Sequence, residues 1–288
     1  MTEIEIKGHS GCGVKIIKAE GGLVVVKNST DKKYFERLLR QINKQKNFKA
    51  SNHKNIKVPQ ILNVRQSEDE VSIEMEYIYS KNFIEYFEFA DYDKIHTTLA
   101  LLIRFIDTEI GQSPLKKVNS SFIQEKFDDV CKNVEANAQL KAYPEIPALM
   151  AQCSTLFQGL DATIELPCGT CHGDLTFSNM LFNNRNRDCY LIDFLDSFVE
   201  SPIIDIVKIR QDTAFMWSPL LYNKSYDAPR LNMIMQFIDS GIERYYAQYD
   251  WYVRYYPIFQ LMNFLRILQY AKEEKIITYL IKTIHQLV

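Results

Sequence analysis

Three residues in the stretch CGTCHGDLTFSN, namely His172, Asp174 and Asn179, stand in the spacing H-x-D-x-x-x-x-N. A carboxylate and an amide held five residues apart on a loop suit phosphoryl transfer. The carboxylate takes or orients the proton of an attacking hydroxyl, and the amide oxygen holds a divalent cation. The same stretch also spells C-x-x-C-H through Cys168, Cys171 and His172, the signature of covalent haem attachment. The two readings are incompatible, and the rest of the chain arbitrates.

The opening MTEIEIKGHSG carries charges among its apolar residues and has no apolar signal region, so the expected location is cytoplasmic. In a reducing compartment the six cysteines are expected to be thiols, mostly small buried hydrophobes. Covalent haem attachment in bacteria is normally an event outside the cytoplasm, which weighs against the haem reading. A closed zinc site needs four ligands, and no second C-x-x-C or His pair accompanies the first. A net charge of -2 gives no bulk attraction to nucleic acid or anionic lipid, and no run is long and apolar enough to span a bilayer. The expected partner is a small molecule, with neither nucleic acid nor membrane involved.

The phosphoryl-transfer reading finds its remaining parts in the right order along the chain. In GHSGCGVKII, Gly8, Gly11 and Gly13 lie between two strand-like segments, where absent side chains let backbone N–H groups approach phosphate oxygens. Lys27 ends the strand LVVVK directly after the following hairpin, the place of a lysine that holds the α- and β-phosphates. Asp193 ends the apolar strand CYLIDF and can join Asn179 in holding Mg²⁺. Each residue alone has an ordinary explanation as a turn or cap former. Their joint order, with a short strand and a polar turn between Asn179 and Asp193, is what points to ATP and Mg²⁺.

The elements that must position these residues follow from periodicity. VKIIK and LVVVK flank the turn AEGG as a hairpin, and Val71, Ile73, Met75 and Tyr77 alternate as a half-buried strand. Phe35, Leu38, Leu39 and Ile42 mark one face of a helix, completing an inventory of five strands and one helix up to about residue 78. Beyond it the pattern turns helical. One stripe runs through Ile95, Leu99, Leu102, Ile103 and Ile106, and a second through Phe122, Ile123, Phe127, Val130 and Val134. A third runs through Ile146, Leu149, Cys153, Leu156 and Phe157. NMLF and CYLIDF interrupt it as two short strands, and helices return from Pro202 to the end. The expected fold is α+β, with residues 1–78 as a β-rich nucleotide-binding lobe and 79–288 as a mainly α-helical catalytic and substrate-binding lobe.

CHGDLTFSNMLF followed by CYLIDF resembles the aminoglycoside phosphotransferase and choline kinase family, relatives of the protein kinases that phosphorylate hydroxyls of small molecules. The resemblance implies a bilobal protein-kinase-like fold, with Asp174 as the catalytic residue and Asn179 and Asp193 as metal ligands. It implies that the backbone of Glu76 and Ile78, in the hinge-like MEYI, binds adenine, that His172 is structural, and that Asp205 in ESPIID tethers the catalytic loop. The chain departs from the pattern in two places. The helix ERLLRQINKQKNF offers only Glu36, Gln41 or Gln45 as partner for Lys27, where kinases use a glutamate. Phe194 and Leu195 follow Asp193, so the glycine of D-F-G is missing.

The acceptor is less legible. Glu85, Glu88, Asp91 and Asp93 could form an acidic rim for an amine, or be solvated helix charges. Tyr245, Tyr246, Tyr249, Trp251, Tyr252, Tyr255 and Tyr256 could box a quaternary ammonium, or pack a core. Asp196 could meet a sugar hydroxyl. A sugar or polyol is preferred over an amino alcohol or aminoglycoside, because neither cation-binding signature is firm. The alternative is a nucleotide-binding pseudokinase that lacks the lysine–glutamate pair.

Overall fold

The alternating first third of the chain pairs into antiparallel strands. The computed structural model describes residues 3–6, 12–183 and 188–288. β1 (Glu3–Ile6), β2 (Gly13–Ala19) and β3 (Gly22–Ser29) are followed by α1 (Lys32–Asn47), β4 (Ile56–Lys57), β5 (Ile61–Gln66) and β6 (Val71–Glu76). Five of these strands form an antiparallel sheet in the order β1-β2-β3-β6-β5. Gly22 closes the β2–β3 hairpin at φ 133°, a conformation that side chains with a Cβ rarely adopt.

Asp31 caps α1 by accepting from the Lys33 N–H at 3.0 Å, which satisfies one of the donors a helix start leaves open. Phe35, Leu38 and Ile42 then pack on Val71, Ile73 and Met75 of β6, the core that fastens α1 to the sheet. Val71 and Ile73 are wholly buried, and each such side chain stabilises the unit by about 1.5–3 kcal/mol. The five strands of this sheet and the helix match the inventory read from periodicity, whereas the two-residue β4 is a sixth strand that joins β10 instead and is too short to show an alternation.

Further along come α2 (Phe83–Glu88), α3 (Tyr92–Gln112), β7 (Leu115–Asn119), α4 (Ser121–Ala136), α5 (Ile146–Gln158) and β8 (Thr163–Pro167). They are followed by β9 (Met180–Phe182), β10 (Cys189–Leu191), α6 (Pro202–Thr213), α7 (Trp217–Leu220), α8 (Ala228–Tyr246), α9 (Asp250–Leu268) and α10 (Glu274–His285). The α+β class is as read from the sequence. β9 and β10 pair antiparallel, and β4 adds to β10 in parallel as a small second sheet. The ribbon of β7 and β8 was not legible, because LKKVN faces solvent along nearly its whole length and carries no apolar alternation. Leu156 is exposed and leaves the third helical stripe, which is carried by Ile146, Leu149, Cys153 and Phe157.

The chain divides into two compact units. One gathers Met1–Thr108, His172–Asp196 and Asn223–Leu231; the other gathers Glu109–Cys171, Ser197–Tyr222 and Asn232–Val288. The five-stranded sheet and the segment from His172 to Asp196 thus belong to the same unit. No helix among the described residues is long and apolar enough to cross a membrane.

Candidate active site

The loop that leads to β9 is shaped by Gly173. Its φ of 86° lies in the left-handed region, and a Cβ there would run into the backbone carbonyl of Leu195. The residue between His172 and Asp174 must therefore be glycine for two separate reasons. His172 itself is buried, and both ring nitrogens are engaged. Nδ1 accepts from the Asp174 N–H at 3.2 Å, so Nε2 carries the proton that it donates to the Ile192 carbonyl at 2.9 Å. Burial lowers its pKa to about 4, so the imidazole is neutral near pH 7. A ring fixed in this way holds the loop and is a poor general base, as the resemblance implies.

Asp174 and Asn179 are joined directly. The Asn179 amide donates through Nδ2 to the Asp174 backbone carbonyl at 2.8 Å and to its carboxylate at 2.9 Å. The Asn179 carbonyl accepts from the Ile192 N–H at 3.0 Å, which ties this loop to the strand that delivers Asp193. With its NH₂ committed, Asn179 has the amide oxygen as the side-chain atom suited to a cation. Together with the Asp193 carboxylate this is a set of hard oxygens, which fits Mg²⁺ and not a thiolate-loving metal.

Asp193 sits at φ 62°, a strained conformation for a residue with a side chain, costing about 1–2 kcal/mol. Its neighbours over-determine it. The Phe194 ring lies between His172, 4.2 Å away between centroids, and Phe48, 5.2 Å away. The Leu195 N–H donates to the His172 carbonyl at 3.0 Å, and the Leu195 carbonyl accepts from Lys44 Nζ at 2.7 Å. Beyond it, Asp196 pairs with Arg40 at 2.8 Å, so this carboxylate, read as a sugar contact, is held by α1.

Lys27 reaches Asp193 from β3. Its ammonium bonds the Asp193 carboxylate, with 15% of the lysine side chain and 41% of the aspartate side chain exposed. Two of the expected partners on α1 are engaged elsewhere. Glu36 is largely solvent-exposed and pairs with Arg40 at 3.6 Å, and Gln45 donates to the Pro59 carbonyl at 2.8 Å; Gln41 is buried on the same helix. Sequence position could not reveal this, because one residue of helical rotation decides whether a side chain meets the sheet or the solvent.

The remaining sequence-selected residues divide in kind. Gly13 pairs across the hairpin with Asn28, one register step from Val14 and Lys27, and a Cβ on it would lie 2.7 Å from Asn28 Oδ1. Gly8 and Gly11 fall outside the described residues. The N–H of Glu76 donates to the Gln60 carbonyl at 2.9 Å, and Ile78 is buried just past the end of β6. Glu88 and Asp91 accept from the N–H groups of Asp227 and Lys94, duties of loop and helix start. Asp205 is buried in the first turn of α6. Cys171 is buried with its thiol 3.5 Å from a Glu200 carboxylate oxygen, and Cys168 is a half-buried free thiol whose pKa burial raises.

In the other unit, two members of the tyrosine cluster, Tyr252 and Tyr256, meet a cation that the chain itself supplies. Arg210 of α6 forks onto both carboxylate oxygens of Asp239 at 2.9 and 3.0 Å and also bonds Glu243. It donates to the Tyr252 hydroxyl at 2.5 Å and lies over the Tyr256 ring, 4.5 Å from its centroid. Thr213 adds a hydrogen bond to Asp239 at 2.7 Å. The aromatic residues were visible in the sequence, but their cation lies 42 positions before Tyr252 and carried no local signal.

Comparisons with known proteins bear on the fold in which this site is set. The ecdysteroid kinase-like family matches residues 92–209, a span that includes Asp174, Asn179 and Asp193. The structure resembles aminoglycoside phosphotransferase APH(4)-Ia in a thermostable mutant form, with TM-score 0.64 and 11% identity over 100% of this chain and 94% of that one. It resembles the GDP and kanamycin complex of APH(2")-IIIa, with TM-score 0.65 and 13% identity over 99% and 92%. An ethanolamine kinase from Plasmodium vivax gives TM-score 0.52 and 13% identity over 99% and 81%. Curated proteins contain no significant sequence match. The chain therefore has the protein-kinase-like fold found in small-molecule phosphotransferases.

Proposed function

We propose that this protein is an ATP- and Mg²⁺-dependent phosphotransferase acting on a hydroxyl of a small molecule. The observation that carries the reading is the meeting of four residues from separate stretches of one unit. Lys27 bonds Asp193, Asn179 bonds Asp174, and the Ile192 N–H to Asn179 carbonyl bond joins the two pairs. Folding alone has no need to hold Asp193 in a strained conformation beside a half-buried lysine. The division of labour at residue 78, into nucleotide-binding and catalytic lobes, belongs to the same proposal.

In this reading Lys27 leaves Asp193 for the α- and β-phosphates when nucleotide arrives. Asp193 and the amide oxygen of Asn179 would hold Mg²⁺, which neutralises phosphate charge and takes the rest of its shell from phosphate and water. The adenine edge would meet the Glu76 carbonyl and the Ile78 N–H, since the Glu76 N–H already serves Gln60. Gly13, with Gly8 and Gly11 before it, would let the backbone approach the phosphates. Asp174 takes the acceptor's proton as the acceptor oxygen bonds to the γ-phosphorus, and the bond to the β–γ bridging oxygen breaks to release ADP. Catalysis then rests on positioning and charge neutralisation.

Tyr252 and Tyr256 already serve Arg210, and Glu88 and Asp91 each accept a backbone N–H, which weakens the two cation-binding signatures read from the sequence. Sugars and polyols remain preferred, and the ecdysteroid of the matching family's name adds steroid alcohols. The second reading, a pseudokinase, draws on the absence of a glutamate at Lys27. The test is a mass-spectrometric search for phosphorylated product, with Mg-ATP or Mg-GTP and a panel of sugars, polyols, steroid alcohols, amino alcohols and aminoglycosides. A product formed by the native protein and absent with Asp174→Asn supports the assignment and names the acceptor class. Nucleotide binding with no product from any acceptor class supports the pseudokinase.

A further inference from the structure

The strained Asp193 needs its flanks fixed on both sides, and the structure shows how each is held. On the N-terminal side, Ile192 is bonded through its carbonyl to His172 and through its N–H to Asn179. On the C-terminal side, the Leu195 N–H is bonded to the His172 carbonyl, and its own carbonyl turns toward α1. That carbonyl lies on the side of Gly173 that a Cβ would occupy, so it is set close against the catalytic loop. Its donor is the Lys44 ammonium at 2.7 Å, from one turn after Arg40, which pairs with Asp196. Two cations four residues apart on one helix face thus grip two successive residues of the segment that carries Asp193.

This arrangement accounts for the departure from the kinase pattern. Where a glutamate would join α1 to Lys27, the one carboxylate on α1 faces solvent, and Lys27 is held by Asp193. The helix is coupled to the site through the aspartate's backbone and not through the lysine's charge. Phe48, at the end of α1, packs on Phe194 and reinforces the same connection.

We propose that Lys44 is a positioning residue for Asp193, holding the Leu195 carbonyl so that the aspartate keeps its metal-binding posture, with Arg40 as its auxiliary. The inference rests on the phosphotransferase reading and assigns α1 a task that Glu36, Gln41 and Gln45 do not perform. The Lys44 bond that bears on Asp193 ends on a backbone carbonyl two residues away. Its loss should weaken the use of metal and leave the nucleotide's other contacts in place.

The test is calorimetric titration with ADP, in chelator and in Mg²⁺, of the native protein and of Lys44→Met, Lys44→Gln, Lys44→Arg and Glu36→Gln, each checked for its thermal midpoint. Native protein should bind ADP more tightly with Mg²⁺. Lys44→Met and Lys44→Gln should keep the metal-free affinity and lose about tenfold of the metal-dependent gain, the scale of one charged hydrogen bond. Lys44→Arg should restore most of the gain, and Glu36→Gln should match the native protein. A full metal-dependent gain in both Lys44→Met and Lys44→Gln overturns the inference and leaves the functional reading standing. Equal loss with and without metal, tracking the thermal midpoint, assigns Lys44 to stability alone and also overturns it. A native protein with no metal-dependent gain removes the functional reading, and the inference with it.

Discussion

The segment from His172 to Asp196 and the Arg210 cluster use the same materials to opposite ends. Each joins carboxylates, a cation and aromatic rings. Around Arg210 the cation is satisfied several times over, by a two-pronged bond to Asp239, by Glu243, by a tyrosine hydroxyl and by an aromatic face. No backbone strain accompanies it, since the positive-φ residues outside glycine are Asn55, Asp193 and Met216 among the described residues. Around Asp193 the carboxylate bonds one lysine, stands two-fifths exposed and sits on a strained backbone. A many-partner cluster fixes a structure; a strained, lightly partnered pair can exchange its partner for a ligand.

That difference can be broken at either end. The largest effect belongs to Asp174→Asn, which should cut product formation by roughly 10³-fold while ADP affinity stays near native, read from initial rates and calorimetry. Arg210→Met should act on stability instead. It leaves the half-buried Asp239 carboxylate without its fork, so chemical denaturation should show a loss of about 3 kcal/mol, with ADP affinity per folded molecule unchanged.

Acid sharpens the comparison. The His172 pKa in the folded protein, about 4, lies below the ordinary 6.5, so the unfolded chain takes up a proton that the folded one excludes. Above pH 6.5 both states are neutral and nothing is gained or lost. Stability should therefore fall as pH drops from 6.5 toward 4, by on the order of 3 kcal/mol from this residue, as denaturant midpoints across the range would record. His172→Asn should flatten that slope. The smallest effect is expected from Glu36→Gln, which removes an exposed charge and should change stability by less than about 0.5 kcal/mol and turnover not at all.

What the sequence revealed follows the range of the interactions. Lys27, Asp174, Asn179 and Asp193 were visible because a hairpin and the short antiparallel pair of β9 and β10 set their places locally. The core of α1 on β6 was visible through apolar spacing at Phe35, Leu38 and Ile42. The tether from Lys44 to Leu195 was not, since it spans 151 positions and ends on a backbone carbonyl that has no residue type. The partner of Lys27, left open among Glu36, Gln41 and Gln45, was illegible for a related reason: spacing shows that a helix carries a carboxylate, while packing decides which way it faces. The tyrosines pointed to a cation, and its source lay in a distant helix of the same unit.

The central claim is that the His172–Asp196 segment is a metal–nucleotide site and the Arg210 cluster is not. The most direct measurement is the Mg²⁺-dependent gain in ADP affinity for the native protein, Asp193→Ala and Arg210→Met, compared at equal folded fraction. The account predicts a gain in the native protein and in Arg210→Met, and its disappearance in Asp193→Ala. An undiminished gain in Asp193→Ala, or its loss in Arg210→Met alone, would contradict it.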